Sequence, residues 1–429
     1  MGEISVKTGN NARNGGKNSL NRLIRCVCGK KIGPDPRNFN QRVSLGRNDL
    51  LIRTFPKGVI NVNIDVNAIL NDAVKDMPIA NIIVIGKTGV GKSSLINSVF
   101  RGDFARTGVG RPVTENIKVI KKEGVPLQII DTQGLEVADY DKTRLNIENY
   151  INEHNNSEES ENYVHLAWLC INDTGQRYEK AELNIAKFLI SKGIPVIVVL
   201  TKTNSFKNNE FAKEVEIAFK NYSHAVCLTR AIEETIYDED EPDEIIGKRK
   251  VRGIDDLIQT SYEVIPEAQK KAFSNALSIK NKKALDIKKE QASKEVIAAT
   301  VLAGAAAATP VPFSDAFTLV PIQVTMIAKI SYTFGMDVSK AALTTMVTSL
   351  IGAGGAVFLG RTIVTGLLKM IPGVGSLVGG AISATTASAI TKVLGDTYVL
   401  VLYKLATESK TGEIDFEMAA KLLKAKVSF

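Results

Sequence analysis

Short apolar runs separated by longer amphipathic stretches dominate the middle of the chain. Residues 82–85 (IIVI), 117–120 (IKVI), 125–130 (VPLQII), 194–200 (IPVIVVL), 225–228 (AVCL) and the run inside HLAWLCIND at 165–173 are short and rich in Ile, Val and Leu. Such runs read as strands, most of them buried on both faces. Residues 117–120 and 125–130 flank a Lys-Lys-Glu-Gly turn and predict a hairpin. After residue 91 the periodicity changes: Leu95, Ile96, Val99 and Phe100 recur at helical spacing, and a last helix starts near Gly253. Strands alternating with helices predict a doubly wound α/β domain with a mostly parallel sheet.

Beyond residue 265 the pattern is helical throughout. Residues 266–295 carry eight Lys between Lys270 and Lys294, and composition then shifts to Ala, Gly, Thr and Val. Residues 296–314, 341–360 and 370–391 have no charge, and the last two are 20 and 22 residues long, enough to cross a bilayer. Their apolarity is modest: 341–360 holds seven Leu, Ile, Val or Phe, and 370–391 holds six beside four Gly and Pro372. Two readings stay open, close-packed helices in or on a membrane and the core of an Ala/Gly-rich bundle. The pattern divides the chain into a tail at 1–58, the α/β domain at 59–265, an all-α hydrophobic domain at 266–410 and a C-terminal tail at 411–429. The run Asp238–Lys250, acidic and then basic, reads as a solvated loop.

Charge sharpens the division. The net charge is +8, yet residues 1–58 hold twelve Lys or Arg against Glu3, Asp35 and Asp49, so the remaining chain sums to −1. The basicity belongs to an Asn- and Gly-rich tail that reads as disordered and suits acidic lipid or RNA. No apolar core follows its basic residues as a secretory signal would require, which places the chain on the cytoplasmic side. Met1-Gly2 lacks the Ser or Thr that N-myristoylation wants at position 6, where Val6 stands. Cys170 and Cys227 lie in apolar runs as packed thiols, and Cys26 and Cys28 have no second pair to build a zinc site. His154, His165 and His224 show no metal spacing.

The chemistry sits between the first predicted strand and the first helix. Gly86, Lys87, Thr88, Gly89, Val90, Gly91, Lys92 and Ser93 fit GxxxxGK[ST] in full, with Ser94 following. Glycines there let backbone N–H groups wrap a phosphate, and the helix N-terminus adds its dipole. Lys92 would bridge β- and γ-phosphates, and the Ser93 hydroxyl would hold Mg²⁺. Asp131 stands at the end of a buried strand, three residues before Gly134, where an acid reaches Mg²⁺ through water and a glycine N–H meets the γ-phosphate. Thr114 precedes the hairpin and is the candidate switch threonine at the metal. The strand at 194–200 ends on Thr201-Lys202-Thr203-Asn204, in position to read a base.

The segments GKTGVGKSS (86–94), PVT (112–114), DTQGL (131–135) and TK (201–202) resemble the G1 to G4 motifs of TRAFAC-class GTPases of the Era/TrmE-like group. The likeness covers about residues 60–265, and HLAWLCIND followed by the Arg177 loop strengthens it. It implies GTP/GDP and Mg²⁺ as ligands, with Lys92 and Thr114 catalytic and Ser93, Thr114 and Asp131 at the metal. It also implies that Thr201 ties its loop to the P-loop, that Lys202 covers a base face, and that Arg230, in Thr229-Arg230-Ala231, offers a backbone N–H to the guanine O6. Three departures stand out. Leu135 replaces the water-orienting Gln of Ras-like enzymes, Gly89 replaces the Asn associated with potassium-assisted hydrolysis, and Asn204 replaces the base-reading Asp. They imply slow hydrolysis completed by a partner or a second copy. ATPVPFSDAF, QVTMIAKISYTFG and MIPGVGSLVGGAISA resemble an uncharacterised helical domain that often follows Era-like G domains and is frequently membrane-associated. The resulting expectation is a guanine-nucleotide switch coupled to a hydrophobic helical domain at a membrane lipid surface or a protein effector. The alternatives are an Era-like RNA-associated GTPase and a pseudo-GTPase scaffold.

Overall fold

The protein is described by a computed structural model over residues 4–6, 24–26, 78–104, 109–114, 117–132, 140–155, 163–238, 245–307, 314–336 and 384–427. The chain divides into two compact units, Met1–Asn61 and Val62–Phe429. In the first, β1 (Ile4–Val6) pairs antiparallel with β2 (Ile24–Cys26); the rest of the basic tail lies outside the described residues.

The second unit is built on a seven-stranded sheet. Its strands are β3 (Ala80–Ile85), β4 (Val109–Thr114), β5 (Ile117–Lys121), β6 (Leu127–Thr132), β7 (Leu166–Asn172), β8 (Val196–Thr201) and β9 (Ala225–Leu228), in the order β4-β5-β6-β3-β7-β8-β9. The pairs β3–β6, β3–β7, β7–β8 and β8–β9 are parallel, while β4 and β5 add an antiparallel edge. This is the mostly parallel, doubly wound sheet that the alternating pattern predicts. The central strand β3 is buried along its whole length and alternates between the faces. Ile82 and Val84 enter one core and Ile83 and Ile85 the other. Both cores need helices to close them, which is why near-continuous apolar runs are stable here.

One face is covered by α2 (Tyr140–Asn155), α3 (Lys180–Ser191) and α4 (Glu210–Phe219), which contribute Ile147, Ile151, Ile185, Leu189, Val215 and Phe219. The other is covered by α1 (Lys92–Val99), α5 (Ile254–Val264), α6 (Lys270–Ala276) and the first turns of α7 (Lys282–Ala307). The core that closes the sheet therefore runs past residue 265, through Phe273 and Leu277 to Ile287. Trp168, fully buried on β7, stacks on Phe100 with ring centroids 5.5 Å apart and donates its Nε1–H to Ser261 Oγ at 3.0 Å. Of the charge run read as a loop, residues 239–244 lie outside the described residues, and the part from Ile245 to Arg249 is instead strand β11, paired antiparallel with β10 (Glu234–Tyr237). Cross-strand ion pairs hold it, since Glu234 faces Arg249 in register and their side chains meet at 3.1 Å.

The helices α7, α8 (Ser314–Thr333), α9 (Ala384–Glu408) and α10 (Phe416–Val427) form a bundle core of Val296, Met326, Ile330, Leu394, Tyr398 and Leu423, among others. Small residues let these helices approach closely: a Cβ on Gly395 would come within 2.7 Å of the Val296 methyls, and one on Gly304 within 2.4 Å of Ser388 Oγ. Residues 411–429, expected as a tail, instead carry α10, because Ala419, Ala420 and Leu423 make one apolar stripe that the bundle buries. Asp415 starts this helix by accepting the Glu417 N–H at 2.8 Å. Among the described residues no helix is long and apolar enough to cross a membrane. Of the uncharged segments, 296–307 lies inside α7 and 384–391 inside α9. The segments 308–313 and 341–360, and the first part of 370–391 up to residue 383, lie outside the described residues.

The bundle core and the sheet core that runs to Ile287 meet at a polar junction beside the end of α1. Ser278 donates its N–H to the Val99 carbonyl at 2.9 Å, Arg101 donates its own to Ala276 at 3.0 Å, and Asn281 Nδ2 donates to Ser98 at 2.9 Å. Arg101 also donates from its guanidinium to the Asn275 carbonyl and side chain, at 3.1 and 2.9 Å. Lys288 of α7 is completely buried there, and its ammonium donates to the carbonyls of Ser274, Asn275 and Thr333 at 2.5, 3.0 and 3.0 Å. Those carbonyls belong to α6 and to the end of α8, so one side chain joins elements on both sides.

Candidate functional site

Open α/β sheets bind ligands at the carboxyl ends of their strands, where the strand order reverses. Here β3 delivers the loop 86–91 to that edge, between β6 and β7. The glycines are needed for separate reasons. A Cβ on Gly86 would stand 2.5 Å from the Cys170 carbonyl, because the loop crosses the end of β7. Gly89 and Gly91 have φ of 71° and 108°, which side-chain residues avoid. Gly91 then caps α1, and Lys92 and Ser93 open the helix, so backbone N–H groups and the dipole end converge on the loop interior. Lys92 Nζ reaches across the loop to the carbonyls of Gly86 and Lys87 at 2.7 and 3.1 Å. Lys87 turns its side chain away to Glu179, 2.5 Å distant, so only its backbone faces the loop interior. Thr88, Gly89 and Ser93 are exposed at the rim.

Asp131 lies beside this loop, in register with Val84 of β3. Burial pushes its carboxyl pKa upward, and the charges of Lys92 and Lys118 oppose that shift. Its Oδ1 is buried and has no hydrogen-bond partner. A buried carboxylate oxygen without a donor, within electrostatic reach of Lys92, fits a hydrated Mg²⁺. Ser93 and Asp131 are the residues that would hold the ion, and the ion would supply charge neutralisation to a β,γ-phosphate. Thr114 ends β4, paired with Ile117, but its side chain and Gly134 lie outside the described residues, as do Gln133 and Leu135.

The strand β8 delivers the second half of the site. Thr201 Oγ1 donates to the Val90 carbonyl at 2.7 Å, and Lys202, in the left-handed region at φ 56°, donates from Nζ to Gly89 at 2.7 Å. Both contacts tie the TKTN loop to the P-loop. Thr203 is buried and fixed by its N–H to the Thr229 carbonyl at 3.0 Å, which leaves Asn204 exposed at the tip. A cavity of about 390 Å³ opens between these loops and is lined by Lys202, Asn204, Thr229, Arg230, Glu233 and Glu234, with Gly91 and Ser94 on the phosphate side.

Arg230 differs from the expectation. Its backbone N–H is taken by the Arg252 carbonyl at 2.9 Å, in a reciprocal bridge between the two residues, and so does not point to a base. The guanidinium instead donates to the carbonyls of Thr203 and Asn204 at 2.6 and 3.1 Å. Phe206 lies under both Arg230 and Arg252, at 5.5 and 4.7 Å from the ring centroid. Arg230 therefore shapes the TKTN loop from behind. Gly253 makes this possible: it has φ 78°, and a Cβ there would meet the Leu228 carbonyl at 1.9 Å. Neither Glu234 nor Glu179 stands out in the sequence as a site residue.

A Walker-type loop, a buried acid at the neighbouring strand end and a base-sized cavity behind a TKxN loop define a P-loop GTPase G domain, here fused to a helical domain. Residues 81–202 match the family described as 50S ribosome-binding GTPase, and residues 274–424 match a Domain of unknown function (DUF697). The chain is 29% identical over 167 residues to the Probable GTP-binding protein EngB of Bacillus subtilis, covering 37% of this chain and 80% of that protein. It is 32% identical over 114 residues to Magnetosome membrane protein 22 of Magnetospirillum gryphiswaldense, covering 27% of this chain and 57% of that one. A 67-residue stretch is 42% identical to Translocase of chloroplast 90 of Arabidopsis thaliana, covering 15% of this chain and 8% of the translocase. The chain thus spans 57% and 8% of the length of two of these three relatives, less than two thirds of each. The G domain is a GTP-binding one, and GTP/GDP with Mg²⁺ is the ligand set general to its family.

Proposed function

We propose that the protein is a slow GTPase switch whose nucleotide state is passed to the helical domain through α1. The observation that carries this reading is the double attachment of α1. Its first residues, Lys92 and Ser93, belong to the P-loop, while its last carbonyls, Ser98 and Val99, accept hydrogen bonds from Asn281 and Ser278. The helix is eight residues long, about 12 Å, and is buried along Leu95, Ile96 and Val99. A short packed helix moves as a body, so a phosphate that repositions its N-terminus also loads the segment 275–281 that leads into α7.

Lys92, Ser93 and Asp131 hold the phosphates and the metal in this reading, and Lys202 and Asn204 face the base. Guanine carries two donors, N1–H and the 2-amino group, where Asn204 has a single acceptor oxygen. Hydrolysis to GDP and phosphate then proceeds on the order of 10⁻⁴ to 10⁻² s⁻¹ without a partner. The helical domain is the output. Ile297 and Val301, one turn apart on α7, are 59% and 65% exposed, and Leu302 beside Val301 is 59% exposed, which supports contact with a lipid surface or an effector protein.

The test combines binding, turnover and hydrogen exchange on the full chain. GTP and GDP binding should be lost, by a hundredfold or more, in Lys92→Ala. Phosphate release should be measurable in the wild type and absent in that variant. Amides of 275–281 should exchange at different rates in the GDP state and in the state bound to a non-hydrolysable GTP analogue. Equal protection of 275–281 in the two states would refute transmission through α1, and wild-type protein that binds no guanine nucleotide would refute the reading as a whole. Co-flotation with liposomes in either nucleotide state decides between lipid and protein as the output partner.

A further inference from the structure

The base cavity holds more acceptors than the TKTN loop supplies. Glu233 and Glu234 both line it, on the segment that rises from Thr229-Arg230 into β10. Their side chains are about half exposed, at 48% and 53%, and pair with Lys248 and Arg249 across the hairpin. Exposed ion pairs of this kind are weak and screened, so a carboxylate in one can turn to a better donor with little loss. The two are not equivalent. Burial lowers the Arg230 pKa, and the charge of Glu234 opposes this, so the Glu234 carboxylate lies within electrostatic reach of the guanidinium that grips the Asn204 carbonyl. Glu234 lines the same cavity as Asn204, and of the two acids it is the one whose charge is felt at the Arg230 guanidinium that grips the Asn204 carbonyl.

We infer that Glu234 is the second guanine acceptor, its carboxylate taking the 2-amino group while the Asn204 side-chain oxygen takes N1–H. This rests on the guanine-nucleotide reading above and deepens it. It reverses the specificity that Asn204 alone would give. An amide by itself tolerates xanthine, whose C2 carbonyl it can satisfy with its NH₂, whereas a carboxylate facing position 2 repels that carbonyl and rewards a donor. Hypoxanthine keeps N1–H and loses the 2-amino group, so it isolates the Glu234 contact. The hairpin β10–β11 then acts as a specificity element, and the opposing Arg249 holds the carboxylate ready in the absence of nucleotide.

The experiment measures affinities of GTP, ITP and XTP for the wild type, Glu234→Gln and Glu233→Gln. For the wild type, GTP should bind ten- to a hundredfold tighter than ITP and tighter than XTP. In Glu234→Gln the GTP advantage over ITP should shrink to within about threefold, with ITP affinity unchanged. Glu233→Gln should behave as wild type. An unchanged GTP-to-ITP ratio in Glu234→Gln overturns the assignment, and so does its collapse in Glu233→Gln alone. Wild-type protein that binds none of the three nucleotides overturns the guanine reading itself, which separates the two failures. Both side chains are exposed, and circular dichroism of each variant verifies its fold.

Discussion

Replacing Lys288 by Met tests how the two cores are held together. The ammonium is fully buried and donates to three carbonyls; burial and, after it, the charge of Arg101 both disfavour its charged form. Two effects compete. Removing the charge relieves its desolvation, which in other buried polar clusters makes apolar replacement neutral or stabilising by ~1–4 kcal/mol. Against this, carbonyls lose donors. Asn275 keeps Arg101 Nε at 3.1 Å and Ser274 keeps the Leu277 N–H at 3.3 Å, but Thr333 loses its bond from Lys288. One orphaned carbonyl costs ~1–3 kcal/mol, and two weakened ones add to it. Because all three ammonium protons are satisfied at 2.5 to 3.0 Å, much of the desolvation is already offset in the native state, so carbonyl loss should win. The expected result is a net loss of about 1–3 kcal/mol in Lys288→Met. Urea unfolding should be followed by the fluorescence of Trp168, the sole tryptophan and part of the sheet core, and by far-UV circular dichroism. The dichroism transition should fall to lower urea and separate from the fluorescence transition, because the bond to the end of α8 is the one lost. A variant as stable as wild type, with coincident transitions, would refute the idea that Lys288 ties the two cores.

Asn204→Asp should tighten GTP by no more than about tenfold, since Glu234 already takes the 2-amino group and the new carboxylate adds only a charge-assisted bond at N1–H; an unchanged GTP affinity would mean that this loop does not face the base. His165 accepts the Asn81 N–H at Nδ1, 3.0 Å away, and burial lowers its pKa to about 4. Its folded pKa thus lies below the unfolded value of 6.5, the unfolded chain binds the extra proton, and stability falls as pH drops from ~6.5 to ~4, by about 3 kcal/mol in all. Urea midpoints across that range, with His165→Gln showing a flattened dependence, provide the check. Gly253→Ala should destabilise by about 3 kcal/mol or more, because its backbone is left-handed and its Cβ would overlap the Leu228 carbonyl; a thermal midpoint within a degree of wild type would count against that geometry.

The sheet was legible because its central strands β3, β6, β7 and β8 are near-continuous apolar runs buried on both faces, and 225–228 agrees with β9 to the residue. The run 125–130 was displaced by two residues, since β6 begins at Leu127: Pro126 has no N–H to give the ladder, a constraint that hydrophobicity does not carry. The P-loop was legible for a different reason, as its residues are consecutive and their roles follow from glycine conformation and helix polarity. The hairpin β10–β11 was hidden because it is mostly exposed on both faces, with no alternation to read. What pairs it are Glu234–Arg249 and Glu233–Lys248, each separated by 15 residues. Arg230 was misplaced on the same ground. Its backbone partner, Arg252, is 22 positions away, and its side chain serves a loop 26 positions back. The α10 stripe was missed because three small or medium apolar residues mark a helix only when a bundle offers them a surface.

The same distinction bears on where nucleotide energy can go. The contacts that hold the P-loop include Thr201 to Val90, Lys202 to Gly89, Lys87 to Glu179 and Lys92 across its own loop. These contacts hold the loop against the sheet, which is itself packed on both faces and has little freedom to yield. The exit that remains among the described elements is α1, since its far end is joined by hydrogen bonds, and not merely by packing, to residues that precede α7. Directional bonds transmit a displacement that an apolar contact would absorb by sliding, and the backbone bridge between Phe100 and Leu277 extends that link by one more residue. Weakening the link should therefore uncouple without unfolding. Asn281→Ala, which removes only the bond to Ser98, should leave GTP affinity within about twofold of wild type while reducing the nucleotide-dependent difference in exchange at 275–281. If that difference were unchanged, the route would have to pass through the packed face of α5 and α6 instead.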